Sequence, residues 1–167
     1  MTRIKTGTWR DERAEPMQVV SGAIGRERVH FEAPKAERLK KEMAAYLKWF
    51  EGECATDPVL KAGHAHLWFV TIHPFEDGNG RIARAITDMV LARSESSSQR
   101  FYSMSAQIKL EHREYYEILE STQRGSTDVT EWMRWFLDCL GRAIDGAQLT
   151  LKAVIDKARF WERIKGV

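Results

Sequence analysis

Twelve consecutive residues, His73 to Arg84, read His-Pro-Phe-Glu-Asp-Gly-Asn-Gly-Arg-Ile-Ala-Arg. They bring together an ionisable base, a carboxylate suited to a hard cation, a glycine-flanked turn and two arginines. The chemistry such a set serves is the handling of a polyphosphate. Glycines let backbone N–H groups converge on an anion, a helix starting just after them turns its positive end toward negative charge, and Asp77 offers oxygen to Mg²⁺.

Each residue has a chemical and a purely structural reading. His73, with an ordinary pKa of about 6.5, is mostly neutral at pH 7 and able to take a proton from a hydroxyl nucleophile. A histidine before Pro74 at a helix end also suits a C-terminal cap. Arg81 and Arg84 are three apart in the first turn of the next helix, where the macrodipole disfavours cations by about 0.3–1 kcal/mol. A triphosphate tail across Gly78, Asn79 and Gly80 would compensate both, and salt bridges to Glu76 or Asp88 are the alternative. Asp77 would share Mg²⁺ with bound phosphates or cap the next helix. Glu76 is expected to be exposed and Phe75 to pack inward, while Asn79 suits either a phosphate contact or the dihedrals of the turn. His64 and His66 face different sides of a helix and lack a third ligand at suitable spacing, which argues against zinc. His66 lies seven residues before His73 on the same face and is placed to orient the turn.

The elements that hold these residues follow from the pattern around them. Glycines at 7, 22 and 25 alternate with β-favouring Val19, Val20, Val29 and Phe31, which predicts a hairpin before Pro34. Leu39, Met43, Tyr46, Leu47 and Phe50 keep the 3.6-residue period of a first helix over 36–51. Asp57-Pro58 marks the start of a second helix, apolar nearly all round toward its end, that stops at His73 because Pro74 cannot continue it. A third restarts near Gly80 with Ile82, Ile86, Met89 and Val90 facing the core. After a serine-rich loop over 94–99, a fourth is expected over 105–122. A capping-box pattern, Asp128 to Glu131, opens a final stretch that is one long helix or two broken near Gly141 or Gly146. Six tryptophans and the pair Tyr115-Tyr116 are mostly core, although one tyrosine suits the wall of an adenine pocket.

Composition narrows the class. At 167 residues, 43% hydrophobic and 30% charged, the chain is expected to be a single domain, 1–167, with a real core. The 26 basic and 24 acidic residues nearly cancel, which speaks for a local anion site and against nucleic acid. Cys54 and Cys139 form no Cys-x-x-Cys pair and read as two buried free thiols. The N-terminus has no apolar signal core, and uninterrupted apolar runs such as Leu67 to Val70 are far too short to span a bilayer. A cytoplasmic protein is expected.

At every specified position, His73 to Arg84 resembles the Fic-domain signature His-x-Phe-x-(Asp/Glu)-Gly-Asn-Gly-Arg-x-x-Arg. Gly7-Thr-Trp-Arg10 is similar to that family's Gly-x-aromatic-Arg opening, and His66 to His73 to its central helix. The resemblance implies a mainly α fold, a Fic-type helical bundle with a small β-hairpin flap near the N-terminus. It implies a protein adenylyltransferase that moves AMP from ATP to a Ser, Thr or Tyr hydroxyl of a target protein and releases pyrophosphate. Carried over, His73 is the catalytic base and Asp77 the Mg²⁺ ligand, Gly78, Asn79 and Gly80 form the anion hole, and Arg81 and Arg84 hold the outer phosphates. Tyr115, Tyr116 and Gln123 fall where the family lines its base pocket. The target protein would dock on the hairpin over 17–31.

The resemblance also frames what is missing and what competes. Family members often restrain themselves with a helix bearing (Ser/Thr)-x-x-x-Glu-(Gly/Asn). Thr127 to Glu131 comes nearest, but Trp132 stands where Gly or Asn is required. An inhibitory helix from a further segment or an antitoxin-like partner would then contact Arg84. The phosphorylating variants replace the second motif glycine by lysine, and Gly80 is retained. Other nucleotidyl or phosphoryl transfers, a different NTP, removal of AMP, and a non-enzymatic ATP-sensing toxin-antitoxin scaffold are the competing expectations.

Overall fold

The structure is a computed structural model that describes residues 7–11, 17–21, 26, 28–53, 55–95 and 100–165. Its elements run β1 Gln18–Ser21, β2 Arg28–Glu32, α1 Ala36–Glu51, α2 Pro58–Ile72, α3 Asn79–Glu95, α4 Met104–Leu110, α5 His112–Arg124 and α6 Thr130–Lys165. The expected helical bundle with a small N-terminal hairpin is what forms. The strands pair antiparallel, Gln18 with Glu32 and Val20 with Val29, with an irregularity between Val19 and Val20. The glycines of the intervening turn lie outside the described residues, as do Cys54 and residues 96–99 of the expected serine-rich loop.

α2 is the central element. Asp57 caps it, accepting from the amides of Val59 at 2.8 Å and Leu60 at 3.3 Å, and Pro58 fills the first helical position, where no N–H is needed. Its residues Ala62, Gly63, Ala65, His66, Leu67, Phe69, Val70 and Ile72 are all buried, because helices cover it on several sides. α3 and α6 pack closely on it, and Tyr46 from α1 is edge-on to Trp68 and Phe69. Gly63 explains the close α2–α6 approach: a Cβ there would lie 2.9 Å from the Met133 methyl and 3.0 Å from Phe136. The Gly63 carbonyl in turn accepts from the indole N–H of fully buried Trp132 at 3.0 Å.

Three sequence expectations need correction. The single helix expected over 105–122 is two, α4 and α5, with Glu111 between them at φ −99°, ψ 24°. Arg142 of α6 holds the Glu111 carboxylate through both oxygens at 2.6 and 2.7 Å, a tertiary contact that periodicity does not reveal. The buried face of α3 is Ala83, Thr87, Val90 and Leu91; Ile82 and Ile86 are half-buried, and Met89 is exposed. The capping box does not close. Asp128 accepts from the amide and hydroxyl of Thr130, and Glu131 pairs with Arg134 at 2.5 Å. α6 runs unbroken through Gly141 and Gly146 for 36 residues, about 54 Å at ~1.5 Å per residue. Among the described residues no helix is long and apolar enough to cross a membrane. Cys139 is buried as a free thiol.

Candidate active site

The bend joining α2 to α3 begins at His73, which ends α2 with φ 52° and ψ 60°. This left-handed conformation costs a non-glycine residue on the order of 1 kcal/mol and persists only where surrounding contacts over-determine it. Those contacts are present. The His73 amide donates to Phe69 O at 3.1 Å, and the Arg10 side chain donates to His73 O at 2.8 Å. Gly78, at φ 86°, makes the second left-handed step, as expected of a glycine. Asn79 is buried, and its amide spans the bend, accepting from Phe75 N at 2.9 Å and donating to Phe75 O at 2.8 Å. Of its two expected uses, the side chain serves the turn. Phe75 is half-buried and packs on the core, as expected, whereas Glu76 is half-buried and engaged with a partner, not exposed.

The imidazole of His73 has its Nδ1 3.3 Å from Val70 O. A carbonyl only accepts, so Nδ1 carries the proton and Nε2 presents a lone pair. Burial pushes the His73 pKa below its ordinary value, and the nearby Arg10 charge pushes the same way, against the Val70 hydrogen bond. A neutral base at pH 7 results.

His73, Gly80 and Arg84 line one cleft of about 120 Å³ with Tyr115, Tyr116 and Gln123 of α5 and with Val19, His30 and Phe31 of the hairpin. His73, one glycine of the turn, the second arginine, the tyrosines and the hairpin therefore meet in one place. Arg84 leans over the start of α3, where a Cβ on Gly80 would sit 3.5 Å from its guanidinium. Asp88, considered as its neutralising partner, has its carboxylate 3.5 Å from Arg100, and the charges of Arg100 and Arg84 both act on it. Arg81 and Asp77 are exposed and do not line this cleft.

His66 is placed differently from the expectation. It does not touch the bend. Fully buried, it bonds Thr87 Oγ1 through Nδ1 and the Tyr115 hydroxyl through Nε2, both at 2.9 Å. Thr87 in turn donates to Ala83 O at 3.0 Å, so its oxygen accepts from His66 Nδ1–H, and Nε2 accepts from Tyr115. Burial, with the Arg84 charge adding to it, lowers the His66 pKa to about 3. This histidine joins α2, α3 and α5 and fixes the tyrosine that walls the cleft. Gln123 donates to Thr71 Oγ1 at 3.1 Å, which fixes its position from the same helix. His64 donates to Leu60 O at 2.9 Å, and among the described residues no group of three or more His, Cys, Asp or Glu could hold a metal ion.

Sequence reasoning missed His30 and Glu120, which pair at 2.5 Å across the cleft between β2 and α5. Arg124 adds a bond from α5 to Val29 O at 2.7 Å and pairs with Glu120 at 2.9 Å. Glu120 lies one helical turn from Tyr116 and from Gln123, and that spacing was the available signal.

The fold and bend correspond to a known class. The model of the Fic/DOC family matches residues 1–91, more than half of the chain, and the chain belongs to that family. It is 32% identical over 114 residues to a protein adenylyltransferase Fic of Nematostella vectensis, covering 67% of this chain and 25% of that protein. A protein of the same name from Aedes aegypti is 35% identical over 89 residues, covering 53% of this chain and 16% of that one. The chain thus spans a quarter or less of the length of these relatives. Among solved structures, a Fic family protein from Desulfovibrio desulfuricans G20 superimposes with TM-score 0.71 at 28% identity, over 87% of this chain and 42% of its own. A Fic domain containing signaling protein from Bacteroides thetaiotaomicron gives TM-score 0.63 at 26% identity, over 86% and 55%.

Proposed function

We propose that this chain is a protein adenylyltransferase, transferring AMP from ATP to a Ser, Thr or Tyr hydroxyl of a target protein. The observation that carries this reading is the placement of His73: its Nδ1 lies 3.3 Å from Val70 O, an acceptor that leaves Nε2 free to take a proton, and the ring lines the same cleft as Gly80 and Arg84. Phosphate binding alone has no use for a base. The names of the relatives, protein adenylyltransferase Fic, support the same class of reaction.

In the proposed step, Nε2 of His73 takes the proton of the target hydroxyl as its oxygen bonds to the α-phosphorus. The bond from that phosphorus to the oxygen bridging toward the β-phosphate breaks, and pyrophosphate leaves with the electron pair. Gly78, Asn79 and Gly80 would offer the backbone amides of the bend and of the α3 N-terminus to the phosphates, and Arg84 would hold the γ-phosphate. Arg81, at the rim, would meet the departing pyrophosphate. Tyr115, Tyr116 and Gln123 would flank the base. Asp77 is an exposed carboxylate, a donor that fits Mg²⁺, which binds proteins through one or two carboxylates plus phosphate oxygens; Asp77 would hold it. When bound, Mg²⁺ neutralises phosphate charge. The target would dock along the 17–31 hairpin, where an incoming strand can pair with an exposed edge. A glutamate-bearing helix, from further chain or a partner, would restrain the site at Arg84.

Incubation with ATP labelled at the α-phosphate tests the proposal. Label should pass to protein and fall about 10²–10⁴-fold in His73→Ala, with ATP binding retained. Transfer of a γ-label would mean phosphorylation instead, and binding without transfer would mean a sensor.

A further inference from the structure

We infer that Arg10 is the positioning residue of this site, a clamp that aims the His73 imidazole and fastens the exit of the flap to the same bend. The inference rests on the proposed role of His73 as base. Arg10 is 7% exposed, and its bonds run to backbone carbonyls. Its Nε donates to His73 O at 2.8 Å, its backbone amide to Pro74 O at 2.9 Å, and its Nη2 to Ile72 O at 3.4 Å and to Pro34 O. Three consecutive carbonyls, at 72, 73 and 74, are thereby taken by one residue. They lie at the end of α2, where carbonyls lack intrahelical donors and the helix dipole favours a cation.

The fourth carbonyl belongs to Pro34, just after β2, whose neighbour Ala33 donates back to Met17 O at 2.9 Å. The hairpin and the base are thus tied through a single guanidinium. A left-handed histidine needs such over-determination, and the planar fork of arginine spans several acceptors where the point charge of lysine cannot. The charge acting on the His73 ring is that of Arg10, and the titratable or charged groups sharing its cleft are Arg84 from α3, Glu120 from α5 and His30 from β2.

Two variants separate aim from charge. Arg10→Lys keeps the charge and loses the fork; kcat for AMP transfer should fall about tenfold or more, since small misplacement of reacting groups is costly, with ATP affinity within about twofold of the parent. Arg10→Gln also loses the charge, so His73, followed by NMR titration of its ring protons without substrate, should titrate at higher pH than in the parent and in Arg10→Lys. Thermal melts of both variants give the folded fraction. A parental kcat and an unmoved His73 titration in Arg10→Gln would overturn the inference, as would a loss of activity in Arg10→Lys accounted for by unfolding. Should the parent chain transfer no AMP, the proposed reaction falls, and the NMR titration still decides whether Arg10 acts on His73.

Discussion

His66 and His73 carry the same side chain, seven residues apart on one helix, and the structure gives them opposite work. His73 opens on the cleft with one nitrogen available, while His66 spends both nitrogens inside the core. The buried one has a consequence for stability. An unfolded chain protonates His66 near its ordinary pKa of 6.5, and the folded chain holds off until about 3. Between those values the unfolded state binds the extra proton, so stability falls as pH drops from about 6.5. At ~1.4 kcal/mol per unit, the part due to His66 is on the order of 2 kcal/mol between pH 6.5 and 5. Urea unfolding at pH 7, 6 and 5 should show a steeper loss in the parent than in His66→Gln. Parallel losses would show that His66 is not responsible.

At the scale of elements, the bend works because α2 and α3 are held at a fixed approach by their neighbours. Gly63 is the point where α2 meets α6, with Met133 and Phe136 as close as the missing side chain allows. Gly63→Val should overpack this contact and destabilise the fold by about 1–3 kcal/mol, read from the denaturation midpoint; a neutral result would mean that α6 can slide. This approach also marks where sequence was sufficient and where it was not. Asp57-Pro58, Pro74 and the glycines at 78 and 80 are local signals, so α2, the bend and α3 were legible nearly to the residue. The break at Glu111 coincides with a bond to Arg142, 31 residues away, and no local rule announces that contact. The cleft itself was legible only in part. His73, Arg84 and the tyrosines carry chemistry in their types, whereas His30 and Glu120 acquire meaning when the hairpin folds onto α5.

For the molecule as a whole, stability is concentrated around α2, and α6 outlasts the body it packs on. Its last buried residue is Ala143, and from Gln148 to Ile164 every residue is exposed, with Phe160 and Trp161 edge-on to each other and to no other ring among the described aromatic pairs. Removal of residues 157–167 should therefore leave the melting temperature within about 2 °C of the parent, as for changes worth roughly 0.5 kcal/mol in a chain of this size. A larger drop would mean that this end supports the bundle. The left-handed backbone at His73 bears on the whole fold in another way. Glycine is at ease in that geometry, while histidine is held there under tension by its surroundings. Under the proposed role of His73 as base, heat resistance and reactivity compete for position 73, and variants chosen for ruggedness alone would drift toward inert proteins.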